Sequence, residues 1–250
     1  MIGKNKISGV VCEFNPLHNG HAALLSRISE EFGSDIVCVM SGNFVQRGEA
    51  AVLDKWSRTR LALQTDAALV LELPLPWAVA GAEKFALGGI SLLNALGCVD
   101  TLTFGSETGD TAPLMHCAEY LHSDVFNSDI RPEVAKGVSF AAARTEAVKK
   151  ALGAETAELL TKPNCILGIE YCKAILSLNS NIVPQTVQRI AIGHDSDQVH
   201  GAFASASLIR SRSIEGEEIS SYVPENTAVC IRALQNKKQY PTSLSYLDRA

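Results

Sequence analysis

The sequence contains no uncharged apolar run of about 18 residues, so no transmembrane helix is expected. Lys4 and Lys6 precede only a short apolar run, too little for a secretory signal. The seven cysteines (Cys12, Cys38, Cys98, Cys117, Cys165, Cys172 and Cys230) form no Cys-x-x-Cys pair, and several lie in apolar runs. They read as buried reduced thiols of a cytoplasmic protein. Positive charge is not in excess. Lys and Arg number 22 against 27 Asp and Glu, a net charge of −5, which is not the footprint of a stand-alone nucleic-acid binder. A local basic face could still form from Arg47, Lys55, Arg58 and Arg60, or from Arg210 and Arg212. No internal repeat or low-complexity segment is visible. The remaining composition, 46% hydrophobic and 20% charged over 250 residues, suits one α/β domain with an appendage, or two small domains.

What the chain does have is a strand that breaks into a histidine turn. Ile7 to Cys12 reads as a buried strand, too short for a helix. Asn15-Pro16 ends it, because a residue before proline is pushed out of helical geometry. After His21 the pattern turns helical, with Leu24, Leu25 and Ile28 on one face. His18, Gly20 and His21 therefore sit where a helix begins, beside free N–H groups and the positive end of the dipole. Gly20 would let a ligand approach the backbone. Both imidazoles can donate hydrogen bonds to phosphate oxygens, most strongly as charge builds there during phosphorus–oxygen cleavage.

Further along, strands are expected at Asp35–Met40, Ala67–Leu73, Val99–Phe104 and Ile182–Ile190. The first helix between them begins near Asp54, and a single long one spans Trp77–Leu96 and stops at Gly97. This alternation predicts an α/β fold: a Rossmann-like parallel sheet of about five strands covered by helices on both faces. Residues 108–160 read as a helical insertion. His116 and His122 within it lie six apart, poor spacing for one helical face, so no dedicated metal site is expected. The loop Ser41–Glu49, the close of a strand at Gly105-Ser106-Glu107, and the polar loop Gly193–Asp197 all fall at carboxyl ends of strands, where such sheets bind ligands. Asn164 stands where a helix N-cap is expected and reads equally well as a plain cap. Ser205, Ser207 and Arg210 open a short helix and could hold a phosphate, or simply cap it.

Several long motifs occur in order: Glu13 to His21, Val39 to Glu49, Asp54-Lys55-Trp56, Leu71-Glu72-Leu73-Pro74, Phe104 to Glu107, Pro163-Asn164 and Ile166 to Tyr171. Together they resemble the tRNA(Met) cytidine acetate ligase family of the HxGH nucleotidyltransferase superfamily, over most of the chain up to about Pro224. The resemblance implies that acetate attacks the α-phosphate of ATP, releasing pyrophosphate. The acetyl group of the resulting acetyl-adenylate then passes to the wobble cytidine of elongator tRNA(Met), giving N4-acetylcytidine. It implies His18 and His21 as catalytic residues. It also implies an ATP site built from Val11, Cys12, Glu13, Phe14, Asn15, Pro16, Leu17, His18, Asn19, Gly20, His21, Ala22, Ala23 and Leu24, with Gly105, Asn164 and Arg189. Arg47, Lys55 and Arg58 are the candidate RNA contacts. Mg²⁺ is expected to arrive with ATP, held mainly by phosphate oxygens and water.

Residues 1–215 are expected to form the ATP-binding domain. Residues 216–250 read as a short C-terminal extension, the remnant of a longer C-terminal domain that family members carry. Its shortness and the acidic charge keep a second reading open: a paralogue that adenylates a small-molecule acceptor and binds no tRNA.

Overall fold

The computed structural model describes residues 6–189 and 201–241, with only the backbone of Arg47. Five parallel strands carry the fold: β1 (Lys6–Cys12), β2 (Ser34–Ser41), β3 (Ala67–Leu73), β4 (Thr101–Ser106) and β5 (Val183–Gln188). Their order across the sheet is β3-β2-β1-β4-β5, so the chain winds outward to one side from β1, then crosses back to the other. Between them lie α1 (Asn19–Ser26), continued by a π-helical turn at Arg27–Glu31, then α2 (Lys55–Leu63), α3 (Leu75–Ala78) and α4 (Ala82–Ala95). After β4 come α5 (Ala112–His122), α6 (Asp124–Val134), α7 (Phe140–Leu152), α8 (Ala154–Leu159) and α9 (Pro163–Ser177). After β5 come α10 (Ala206–Ile214) and α11 (Glu225–Asn236). Among the described residues no helix is long and apolar enough to cross a membrane.

Alternating strand residues feed two cores. Val37 and Val39 face one built with α4, α5, α7 and α9. Ile36, Cys38 and Met40 face the other, with Leu25 and Ile28 from the α1 side and Leu61 from α2. Period-2 alternation over a doubly covered sheet produces this division. Ile209 and, beyond position 215, Ile219, Val223, Ala228 and Ile231 share the second core. The helical stretch expected at 108–160 is α5 to α8.

Two expectations are corrected here. The single helix expected over Trp77–Leu96 is broken: α3 ends at Ala78, and Gly81 is extended (φ −64°, ψ 165°) as the N-cap of α4. Trp77 thus belongs to a separate turn that begins at Leu75-Pro76, where proline suits a first helical turn. The helix expected after His21 begins earlier, at Asn19, with His18 as its N-cap.

The sheet is forked at its carboxyl edge. β1 and β2 pair along seven residues, from Lys6↔Ser34 to Cys12↔Met40. β1 and β4 pair only at Ser8↔Thr101 and Gly9↔Leu102. Beyond these the two strands separate, and the Ser8 and Thr103 hydroxyls bond at 2.8 Å at the base of the fork. This is the switch point where the winding direction reverses, the position at which open parallel sheets form their ligand crevice.

Candidate functional site

Above the fork lies a cleft of about 500 Å³. Its first wall is the turn between β1 and α1. Phe14 adopts φ +46°, turning the chain out of the strand, and the Asn15 side chain accepts the Val52 N–H at 2.8 Å. The Glu13 carboxylate accepts the Gln46 N–H at 2.7 Å, tying the loop after β2 to the turn.

His18 caps α1 with its ring. Nδ1 accepts the N–H groups of Gly20 at 3.1 Å and His21 at 3.4 Å, and the His18 N–H donates back to His21 Nδ1 at 3.4 Å. This is a capping box built from two imidazoles rather than serine and glutamate. The rings stack with centroids 3.7 Å apart and planes 20° from parallel. A Cβ at position 20 would lie 3.0 Å from His18 Cε1. A side chain there would press the folded-over imidazole by a few tenths of an ångström, so glycine gives that ring room, a reason the spacing alone did not reveal.

With Nδ1 accepting, the neutral His18 ring carries its proton on Nε2. Burial, then the charges of Arg189 and Arg210, push its pKa down to about 3. Burial, His18 and Arg189 likewise hold His21 well below the ordinary histidine value. Both rings are thus neutral at pH 7 in the free protein. The field that opposes their protonation is the field that attracts an anion.

The opposite wall is a relay from β4 through α9 to β5. The Glu107 carboxylate accepts the Asn164 N–H at 3.1 Å, the Asn164 side-chain N–H at 2.7 Å and the Cys165 N–H at 2.8 Å. With its amide nitrogen so engaged, Asn164 presents Oδ1 to Arg189, whose Nη1 donates at 2.7 Å. A Cβ on Gly105 would sit 2.9 Å from Arg189 Cγ, so only glycine lets that side chain pass. Burial would raise the Glu107 pKa, but the hydrogen bonds from Asn164 and Cys165 outweigh it and hold the carboxyl below its usual value. Asn164 is therefore not the N-cap expected from sequence. Lys162 holds that position, and the cap arrives from Glu107, 57 residues away.

The third wall is the start of α10. Ser205 is its N-cap, accepting the Leu208 N–H at 3.1 Å and lying 3.0 Å from the Ser207 hydroxyl. Arg210 donates to the Asn15 carbonyl at 3.0 Å, joining this helix to the histidine turn.

The cleft thus brings together Val11, Cys12, Glu13, Phe14, Asn15, His18, Gly20, His21, Ala23 and Leu24 with Gly105, Asn164 and Arg189, and with Ser205, Ser207 and Arg210. Burial and the neighbouring Cys38 raise the Cys12 thiol pKa well above its ordinary value, so Cys12 is a packing residue rather than a nucleophile. Four residues expected in the site do not line it. Leu17 is wholly buried in the second core, Pro16 is buried, and Ala22 packs against that core. The Asn19 side chain donates to the carbonyls of Ala202 at 2.9 Å and Ser221 at 3.0 Å, stitching α1 to the later segment.

One residue of the expected basic face is corrected. Arg58 is fully buried. It donates to the carbonyls of Glu13 at 2.6 Å, Ser41 at 3.0 Å and Leu53 at 3.0 Å, and to that of Gly42. It clamps the ends of β1 and β2 and cannot meet RNA, because its donors are spent on main-chain carbonyls. Lys55 pairs with Glu72 at 2.7 Å. The Arg47 side chain and the Gly193–Asp197 loop lie outside the described residues.

Tyr171, Gln188 and Phe203 line the site but were not singled out from sequence as functional, and Glu107 was noted only within a strand-end loop, with no role of its own. For Glu107 and Tyr171 the available signal was membership of the long motifs.

A parallel sheet split at its switch point, with a histidine-capped helix and two arginines over the gap, defines a doubly wound α/β protein with an anion-attracting crevice. Residues 5–249 match the family model described as HIGH Nucleotidyl Transferase, and the chain belongs to that family. It is 43% identical over 210 residues to a tRNA(Met) cytidine acetate ligase of Clostridium novyi, covering 82% of this chain and 52% of the relative. It is 40% identical over 244 residues to one from a Thermoanaerobacter species, covering 95% and 61%. The crystal structure of Thermotoga maritima TmcAL (apo, form I) superposes with a TM-score of 0.89 at 36% identity, covering 95% of this chain and 58% of that one. A second form of the same protein, bound with alpha-thio ATP, gives a TM-score of 0.85. The chain thus spans about half to three-fifths of the length of the curated relatives it matches.

Proposed function

We propose that the cleft binds ATP and activates acetate as acetyl-adenylate, for transfer to the wobble cytidine of elongator tRNA(Met). The observation that carries this reading is the pair of neutral, stacked imidazoles at the N-terminus of α1, opposed by Arg189 and Arg210. Among the described residues three helix N-termini face the cleft, those of α1, α9 and α10. Glu107 already neutralises that of α9. The triphosphate is therefore directed to α1 and α10, where N–H groups, the Ser205 and Ser207 hydroxyls and the arginines meet it. The adenosine falls toward Gly105 and Asn164.

In the reaction an acetate oxygen forms a bond to the α-phosphorus as the bond to the bridging oxygen breaks and pyrophosphate leaves. His18 Nε2–H and the arginines stabilise the charge that grows on the phosphate oxygens. Mg²⁺ is part of the same proposal. The groups around the histidine turn are largely imidazoles, guanidiniums and hydroxyls, which suits a metal carried in by the phosphates rather than one held by the protein. The Thermotoga relative was crystallised with an ATP analogue, which supports the nucleotide assignment.

The test is incubation of the chain with labelled acetate, ATP and total tRNA, followed by nucleoside analysis. N4-acetylcytidine is the expected product. Pyrophosphate release without it would move the assignment to a paralogue acting on a small-molecule acceptor.

A further inference from the structure

The cleft has a part that phosphate chemistry does not explain. α9 starts at the carboxyl edge of the sheet and runs inward, and Pro163, Leu167 and Tyr171 recur at i, i+4 and i+8 along the wall it gives the cleft. At 1.5 Å per residue this stripe reaches about 12 Å from rim to depth. Opposite it, α4 contributes Ala82 and Phe85, and the sheet contributes Val11 and Phe104. The recess between them is apolar. Two of its polar groups are bonded within the fold. The Thr103 hydroxyl is bonded to Ser8, and the Glu13 carboxylate holds the Gln46 N–H. The Tyr171 hydroxyl has no hydrogen-bond partner among the described residues, although the side chain is only 2% exposed and its ring packs on Phe104 at 5.4 Å. The hydroxyl is not sealed off from solvent, so on a cleft wall it is a free donor that a ligand atom can engage in place of water. Cys12 and Glu13 are its electrostatic neighbours, which sets it beside the end of β1 and next to the histidine turn.

We propose that this recess is the subsite for the carboxylic acid: a short aliphatic monocarboxylate whose methyl lies against Phe85 and Leu167, and whose non-attacking oxygen accepts a hydrogen bond from Tyr171. The inference rests on the adenylate-forming reading above. The remaining carboxylate oxygen forms the bond to the α-phosphorus and pyrophosphate departs. Tyr171 keeps its proton throughout, because burial disfavours the phenolate. Tyr171 orients the acid, and Phe85 limits its chain length.

The test separates acid binding from turnover. Binding of ¹³C-acetate in the presence of the non-hydrolysable α,β-methylene-ATP is followed by NMR, and acid-dependent ATP–pyrophosphate exchange is measured in parallel. Tyr171→Phe is expected to weaken acetate binding about tenfold and to raise the acetate KM equally, with ATP affinity unchanged. Its melting temperature should not fall, since no hydrogen bond in the free protein is lost. Phe85→Ala is expected to shift preference from acetate toward butyrate. Acetate bound equally by the wild type and Tyr171→Phe, or not bound by the wild type, would overturn the subsite. Tyr171-dependent acetate binding with no exchange in the wild type would uphold the subsite and defeat the adenylation reading instead.

Discussion

Replacing Glu107 by alanine tests the cleft at the point where one side chain governs two others. The carboxylate holds two main-chain N–H groups at the start of α9 and the Asn164 amide. Loss of a helix cap costs about 1 kcal/mol, so the variant folds with a modestly lower melting temperature. The larger consequence is functional. Without the carboxylate, the Asn164 amide has no reason to present Oδ1 rather than Nδ2 to Arg189, and the 2.7 Å bond that aims the guanidinium is lost. A charge-assisted hydrogen bond is worth about 1.5–3 kcal/mol. At about 1.4 kcal/mol per decade, misdirecting Arg189 weakens ATP binding about 10- to 150-fold. Isothermal titration with ATP measures this directly. Glu107→Gln keeps the shape but offers one acceptor oxygen in place of two, and should fall between. ATP affinity within twofold of wild type in a folded Glu107→Ala variant would refute the relay. The pH dependence has a defined sign. The folded pKa is depressed, so the stability Glu107 contributes is full above the ordinary carboxylate value near 4.5 and is lost as pH falls through the lower folded value.

Three further outcomes follow from the same geometry. Arg58→Ala should destabilise the fold by about 3–5 kcal/mol in urea denaturation, because buried carbonyls at the ends of β1 and β2 lose their donor; a neutral result would restore Arg58 as a surface contact. His18→Asn keeps a good N-cap while removing the Nε2 donor, so stability should change by less than about 1 kcal/mol while pyrophosphate release falls about 100-fold or more. Equal activity would remove His18 from the chemistry. Lowering the pH from 7 to 5 should cost the nucleotide-free protein about 2 kcal/mol through His18, since the unfolded ring, near 6.5, takes up a proton that the folded ring, at about 3, refuses. His21 acts in the same direction. A flat stability profile over that range would show the rings to be far more solvated than the structure places them.

Much of this was legible in the sequence, and the reason is local. β3 falls on the expected Ala67–Leu73 without adjustment, because an apolar run between Asp66 and Pro74 leaves no other choice. The histidine turn was equally readable from a strand, a proline and an amphipathic continuation. What escaped were relations between distant residues. Arg58 looks like a surface cation in a charged helix until three chain segments turn their carbonyls toward it. Asn164 looks like a cap until Glu107 takes that role from across the cleft. The break at Gly81 depends on α3 being a separate turn, where a window of small residues suggests one continuous helix.

The way the cleft is assembled has a consequence for folding. Arg210 reaches Asn15 across 195 positions of sequence, and Asn19 reaches Ala202 across 183. One lip of the crevice is therefore supplied by residues near position 15 and another by residues near position 210. No half-formed intermediate can own the complete anion trap. Nucleotide capture would serve as a sensor of finished assembly, and ATP added during refolding should stabilise only the end state while leaving the early collapse rate untouched.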